Sequence, residues 1–154
     1  MVLNIKPIET IYNGYRFRSR LEARWAVFFD ALGVEYDYEP EGFDLGDLGF
    51  YLPDFYLPEN KWFVEVKGNY KDVNGLKKAR HLDNYPPEGD MGCLIFRDLE
   101  YAYSRILSDG SRDFNGGFLK HIMINPLKTN KTLRDYNNAI TKARQARFEH
   151  GESP

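Results

Sequence analysis

Leu52-Pro53-Asp54-Phe55-Tyr56-Leu57-Pro58-Glu59-Asn60-Lys61-Trp62-Phe63-Val64-Glu65-Val66-Lys67-Gly68 holds two runs of β-forming residues around a short turn-forming centre. Pro58-Glu59-Asn60 is a connection of hairpin length, so the runs 50–57 and 61–67 are expected to be antiparallel neighbours. A strand sends alternate side chains to opposite faces, which puts Phe63, Glu65 and Lys67 on one face and Val64 and Val66 on the other. Taken alone, Glu-Val-Lys reads most simply as an exposed ion pair on a half-buried strand. Pro53, with no amide to donate, marks an irregularity that can turn Asp54 toward Glu65. Two neighbouring carboxylates repel unless a cation lies between them, and oxygen-only ligation with open positions suits Mg2+ or Mn2+. With the Lys67 ammonium beside them, these are the parts of metal-assisted phosphodiester hydrolysis.

Working outward, Leu21, Trp25, Phe28, Phe29 and Leu32 recur at helical spacing and stop at Gly33, which predicts an amphipathic helix from Ser19. Asn13-Gly14 marks a turn within 10–17, an extended or hairpin element. Strands are expected at 34–38, 42–45, 50–57 and 61–67, a second helix over 70–84 and a buried strand over 91–96. Beyond these, 99–107 reads as helical, 118–124 as a strand, and 129–148 as a polar, basic helix with a thin stripe at Leu133, Tyr136, Ile140 and Ala143. The order is that of a mixed α/β (α+β) fold.

Glu22 lies seven residues before Phe29, about 20° away on a helical wheel, at the edge of the core-facing stripe. Ser19-Arg20-Leu21-Glu22 also has the spacing of a capping box, in which Glu22 would bond back to the Ser19 amide. The residues alone leave the two roles even.

The 154 residues suit one domain, 1–154, with a core over about 10–97 and an extension over about 98–154. Apolar residues make up 42% of the chain and aromatics 16%, which excludes a disordered composition. Cys93 is the only cysteine, so neither a disulfide framework nor a cysteine zinc site is available, and an intracellular, cytoplasmic home is expected. No apolar run reaches membrane-span length and no secretory signal opens the chain, so no membrane partner is expected. Phosphate-binding glycine loops are absent, which argues against a nucleotide cofactor. His81, His121 and His150 show no metal-ligand spacing.

The net charge of -2 hides a strong polarity. Eight acidic residues and no basic one fall between Glu35 and Glu59, whereas Lys128 to Arg147 holds six basic residues against Asp135 alone. Further basic sets lie at Arg16, Arg18, Arg20 and Arg24, and at Lys71, Lys77, Lys78 and Arg80. Candidate contacts to backbone phosphate are Arg16, Arg18, Lys71, Lys77, Lys78, Lys142, Arg144 and Arg147, each equally readable as a solvated face. Tyr36, Tyr38, Phe50, Tyr51, Phe55 and Tyr56 can stack on bases, but aromatics at strand spacing usually build core.

Pro53-Asp54, an intervening hairpin and Glu65-Val66-Lys67 resemble the signature of the PD-(D/E)XK nuclease superfamily. The run from Phe17 to Gly68 further resembles its small single-domain members of phage and mobile elements, over about a third of the chain. The resemblance implies a restriction-endonuclease-like core in αβββαβ order, a central mixed sheet flanked by helices, here with an added C-terminal helix. It implies a Mg2+-dependent endonuclease on DNA, with Mn2+ able to substitute, giving a 5′-phosphate and a 3′-hydroxyl. Asp54, Glu65 and the Val66 backbone carbonyl would hold the metal, Glu22 would assist directly or through water, and Lys67 would orient the attacking water. Cutting both strands calls for a homodimer or a branched substrate such as a junction or flap. A non-catalytic DNA-binding module of the same fold, and an RNA-directed nuclease, are the alternatives.

Overall fold

The computed structural model describes residues 8–68, 72–97, 99, 103–106, 112–113 and 131–148. The chain starts with a hairpin, β1 (Thr10–Tyr12) and β2 (Tyr15–Phe17), in which Tyr12 opposes Tyr15. Asn13 and Gly14 both take positive φ, 48° and 80°, as the tight turn between twisted strands requires.

Helix α1 (Arg20–Leu32) follows, capped by the Ser19 hydroxyl on the Glu22 amide at 3.1 Å. Gly33 ends it in the left-handed region at φ 71°, where the amides of Gly33 and Val34 return to the carbonyls of Asp30 and Phe29. Trp25, Phe28, Phe29 and Leu32 are buried on its inner face, as the periodicity predicted.

Strands β3 (Asp37–Tyr38), β4 (Phe43–Asp44), β5 (Phe50–Tyr51), β6 (Phe55–Leu57) and β7 (Trp62–Val66) come next, then α2 (Val73–Asn84) and β8 (Gly92–Phe96). Strands β9 (Tyr103–Ile106) and β10 (Arg112–Asp113) and helix α3 (Leu133–Gln145) complete the described elements. A six-stranded sheet runs in the order β10-β9-β8-β7-β6-β3, while β4 and β5 form a separate ribbon. All pairs in the large sheet are antiparallel except β7 with β8, and α2 is the crossover that a parallel pair requires. The fold is therefore mixed α and β around a mixed sheet, with three α-helices among the described residues.

Both faces of β7 are covered. Val64 and Val66 face a core shared with Phe55, Leu94, Phe96 and the buried residues of α1 and α3. Phe63 faces a smaller core of Tyr51, Leu76, Ala79, Leu82, Cys93 and Ile95, roofed by α2. A strand buried on both sides is the setting in which a polar residue needs a specific partner.

Several expectations are corrected. The run 50–57 is two strands, because Pro53 cannot donate to a ladder and β5 pairs with β4 instead of continuing into the large sheet. Residues 103–106 are a strand on β8 and not part of a helix, since pairing of Ser104 and Tyr103 with Ile95 and Phe96 extends the sheet. In α3 the buried stripe is Tyr136, Ala139 and Ala143, with Ile140 at the core margin; Leu133, the first helical residue, is half exposed. The expected strand at 118–124 lies outside the described residues. No helix of the described residues is long and apolar enough to cross a membrane.

Candidate active site

The hairpin register places the site. Phe55 opposes Val64, so one step further toward the N-terminus sets Asp54 across from Glu65. Asp54 follows the break at Pro53 and is locked from both ends of its residue: its carbonyl accepts the Glu39 amide at 2.8 Å, and Oδ2 accepts the Val66 amide at 2.7 Å. Glu65 Oε2 accepts the Tyr51 hydroxyl at 2.6 Å, and Oε1 lies 3.0 Å from Lys67 Nζ. Lys67 Nζ also meets Asp72 Oδ2 at 2.7 Å. Asp72 is the N-cap of α2, its other oxygen taking the Gly75 amide at 3.0 Å.

Glu65 and Lys67 do share one face, as alternation predicted, but the simple alternative of an exposed ion pair is excluded. Glu65 is 6% exposed and Asp54 is 7% exposed. Burial, then repulsion from Glu65 and Glu22, raises the Asp54 carboxyl well above the ordinary range, with the Val66 amide only partly opposing. Burial also raises Glu65 against the pull of Lys67 and the Tyr51 hydroxyl. Burial works against the charge on Lys67, but Glu65 and Asp72 together outweigh it and hold the proton more tightly than on a free lysine.

Glu22 reaches the same place from α1. The Ser19 hydroxyl caps its amide, but its carboxylate reaches past the Ser19 amide to that of Arg18, accepting at 2.9 Å. The Tyr38 hydroxyl donates to the same oxygen at 2.9 Å. The carboxylate is thus held at the cleft edge. Burial, offset in part by the Tyr38 hydroxyl and the Arg18 and Ser19 amides, raises its pKa.

Glu22, Asp54, Glu65, Val66 and Lys67 all line one cleft of about 810 Å3, with Arg18 and Lys78 at its walls. Arg18 Nε pairs with Glu39 at 2.7 Å, and Lys78 Nζ donates to the Phe50 carbonyl at 2.9 Å. The other predicted phosphate contacts do not gather here. Arg16 pairs with Glu9 at 3.1 Å on the exposed β2, and Lys77 and Lys142 are exposed elsewhere. Arg144 and Arg147 line a separate cleft, and Lys71 lies outside the described residues.

Four residues of the site escaped the sequence reading. Tyr38 and Tyr51 look like core or stacking aromatics, yet each aims its hydroxyl at a site carboxylate. Asp72 carried a readable signal as an N-cap. Gly75 carried none: a Cβ there would lie 2.4 Å from Asp72 Oδ2 and 2.8 Å from Lys67 Nζ, so only a glycine leaves the lysine its path.

Among the described residues, no group of three or more His, Cys, Asp or Glu side chains stands together in a metal-holding arrangement. That excludes a preformed cage of three such side chains among the described residues, the trio Glu22, Asp54 and Glu65 included. The donors present still fit a hard cation, because Mg2+ keeps several waters and needs only one or two carboxylates. A buried Asp54 whose proton affinity is raised by burial and by the neighbouring Glu65 is the feature such a cation would relieve. Comparison with models of known protein families, with curated proteins and with solved structures finds no match to this chain.

Proposed function

We propose that this protein is a Mg2+-dependent nuclease that hydrolyses DNA phosphodiester bonds, with a restriction-endonuclease-like core of the PD-(D/E)XK type. The observation that carries this reading is the meeting of buried Asp54 and Glu65 beside a protonated Lys67 on the floor of an open cleft. The element order α1, β3, β6, β7, α2, β8, taken without the β4–β5 ribbon, supports the core assignment.

Asp54 and Glu65, with the Val66 carbonyl, would hold the metal, and Glu22 would assist from α1 through water. When bound, Mg2+ supplies Lewis acidity toward the phosphate and neutralises the paired carboxylates. Everything else falls to the chain. Lys67 keeps its proton, so it acts as a donor and not as a base: it holds the attacking water and the phosphate oxygen on which charge grows. Glu22, with its raised pKa and an open side toward the cleft, is the carboxylate suited to take a proton from that water. The Val66 amide and the Tyr51 hydroxyl keep Asp54 and Glu65 from rotating away.

The described residues present one such cleft, so double-strand cutting calls for a homodimer or a branched substrate. The test is a panel of labelled duplex, single strand, flap, four-way junction and RNA, incubated with Mg2+, Mn2+ or EDTA. Cleavage of a DNA substrate that requires the metal and leaves a 5′-phosphate is expected. No cleavage of any substrate under any metal would defeat the proposal.

A further inference from the structure

A second cleft, of about 550 Å3, opens between the N-terminal half of α1 and the residues closing α3. Arg20 and Arg24 line it from α1, and Arg144 and Arg147 from the end of α3. No Asp or Glu is among the described residues that line it. Arg144 spends one donor on the Leu99 carbonyl at 3.2 Å. Arg24 is half-buried, and its Nε is shut off from solvent without a hydrogen-bond partner among the described residues.

Cations at the end of α3 are favoured by the partial negative charge there. Arg24, Arg144 and Arg147 bring three guanidinium groups to one concavity, where they repel one another, and the planar forks of Arg24 and Arg147 carry donors that match a phosphate.

The position of this cleft selects the ligand. Arg18 and Ser19 line the catalytic cleft, and Arg20 lines the second one. Arg18 and Arg20 have Cα atoms no more than about 7.6 Å apart, so the two clefts flank the start of α1. A helix is about 10 Å across, which a nucleic-acid strand crosses in roughly three nucleotides at about 3.4 Å of rise each. The acidic block of residues 35–59 would repel a strand leaving in other directions, whereas these arginines attract it.

We propose that the α1–α3 cleft is a second phosphate-binding site, holding one or two backbone phosphates of the nucleic-acid strand that runs out of the catalytic cleft across the start of α1. This rests on the nuclease reading of the catalytic cleft. Unlike that cleft, the second site needs no metal, so it anchors the strand before the metal site is filled.

The test is binding of a labelled duplex of about 20 base pairs in EDTA, by fluorescence anisotropy over a range of salt, for wild type, Arg147→Gln and Arg24→Gln/Arg147→Gln. The double variant should bind about 10-fold more weakly or worse, with a salt slope shallower by about 2; Arg147→Gln, on an exposed side chain, should lower the slope by about 1. Metal-dependent cleavage of a dinucleotide, too short to cross the start of α1, should not change. Equal affinity and slope in all three proteins overturns the proposal. So does loss of stabilisation by inorganic phosphate, or of polyglutamate binding, with DNA affinity untouched; those results assign the cleft to a small anion or to an acidic protein segment. Failure of the nuclease reading shows separately, as absent cleavage at every length, while binding in EDTA still reports on the arginines.

Discussion

Lys67 Nζ stands 2.8 Å from the point where a Cβ on Gly75 would sit, so the lysine reaches Glu65 only by passing over a bare turn of α2. Gly75→Ala therefore separates folding from chemistry. Both obstructed groups are ends of flexible side chains and can swing aside. Alanine gains about 1 kcal/mol of helix propensity over glycine, which offsets about 1 kcal/mol for a weakened Asp72 cap. Stability should change by less than about 1 kcal/mol. Displacing the ammonium by about 1 Å should lower cleavage by about 10- to 100-fold. Thermal melting and single-turnover cleavage, measured together, check this; full activity in a folded Gly75→Ala would show that the position of Lys67 is immaterial.

Lys67 itself distinguishes an enzyme from a binder. Lys67→Ala and Lys67→Met both remove the donor, and Met keeps the aliphatic stem. Each should reduce cleavage by about 10²-fold or more while metal-dependent DNA binding persists. Circular dichroism must first establish that the variants fold, since Lys67 also bridges Glu65 and Asp72. A Lys67→Ala protein with wild-type rates would remove the mechanism proposed above.

Asp54 gives a pH signature without any substrate. Its folded pKa is raised, so between the ordinary carboxylate value of about 4 and that raised value the folded state holds more protons than the unfolded one. Stability then falls as pH rises through this window and is lowest above it. Asp54→Asn removes the charge and keeps an oxygen for the Val66 amide. In EDTA the variant should melt higher than wild type at pH 8, with the gap narrowing toward pH 5; each 1 kcal/mol reads as about 2–4 °C at this chain length. Parallel melting curves at the two pH values would show that Asp54 is not strained by its surroundings.

The same residue reports on the metal. Mg2+ or Mn2+ should raise the melting temperature of the wild type, more at pH 8 than at pH 5, because the ion competes with the proton for the same carboxylates. Asp54→Asn should lose most of this gain. Calorimetry giving equal Mn2+ affinity for both proteins would move the metal elsewhere.

Tyr136 tests what α3 is for. It is 3% exposed and packs edge-on to Phe28 of α1 with ring centroids 5.6 Å apart. Tyr136→Ala should cost about 3 kcal/mol, and removal of all residues after Thr129 should unfold the domain. The basic helix is therefore part of the core and not an appendage that can be cut away to test DNA binding. A truncated chain that melts cooperatively would contradict this.

Helical periodicity located α1 and α2, because each buries one face of its own sequence, and turn residues between β-forming runs located the hairpin and the β6–β7 pair. The same alternation placed Glu65 and Lys67 on one face, and the proline-marked break brought Asp54 opposite. Those relations are local, spanning a dozen residues and one turn. The strand at Tyr103–Ile106 was not legible, since its extended form depends on a partner edge supplied by β8.

The sequence by itself singled out the candidate residues: two carboxylates and a lysine, on two runs expected to pair as a hairpin. Only the tertiary structure decided that these groups are buried, because burial of β7 on both faces needs α1 and α3 on one side and α2 on the other. It also decided that Glu22 points into the cleft, held by Tyr38 and the Arg18 amide, and that Tyr51, Asp72 and Gly75 fix the positions of Glu65 and Lys67. The arginines of α1 and α3 likewise meet only in space, more than a hundred residues apart in the chain. A hydrogen bond or a shared cavity between distant segments leaves no period in the sequence, because its partners are chosen by packing and not by spacing.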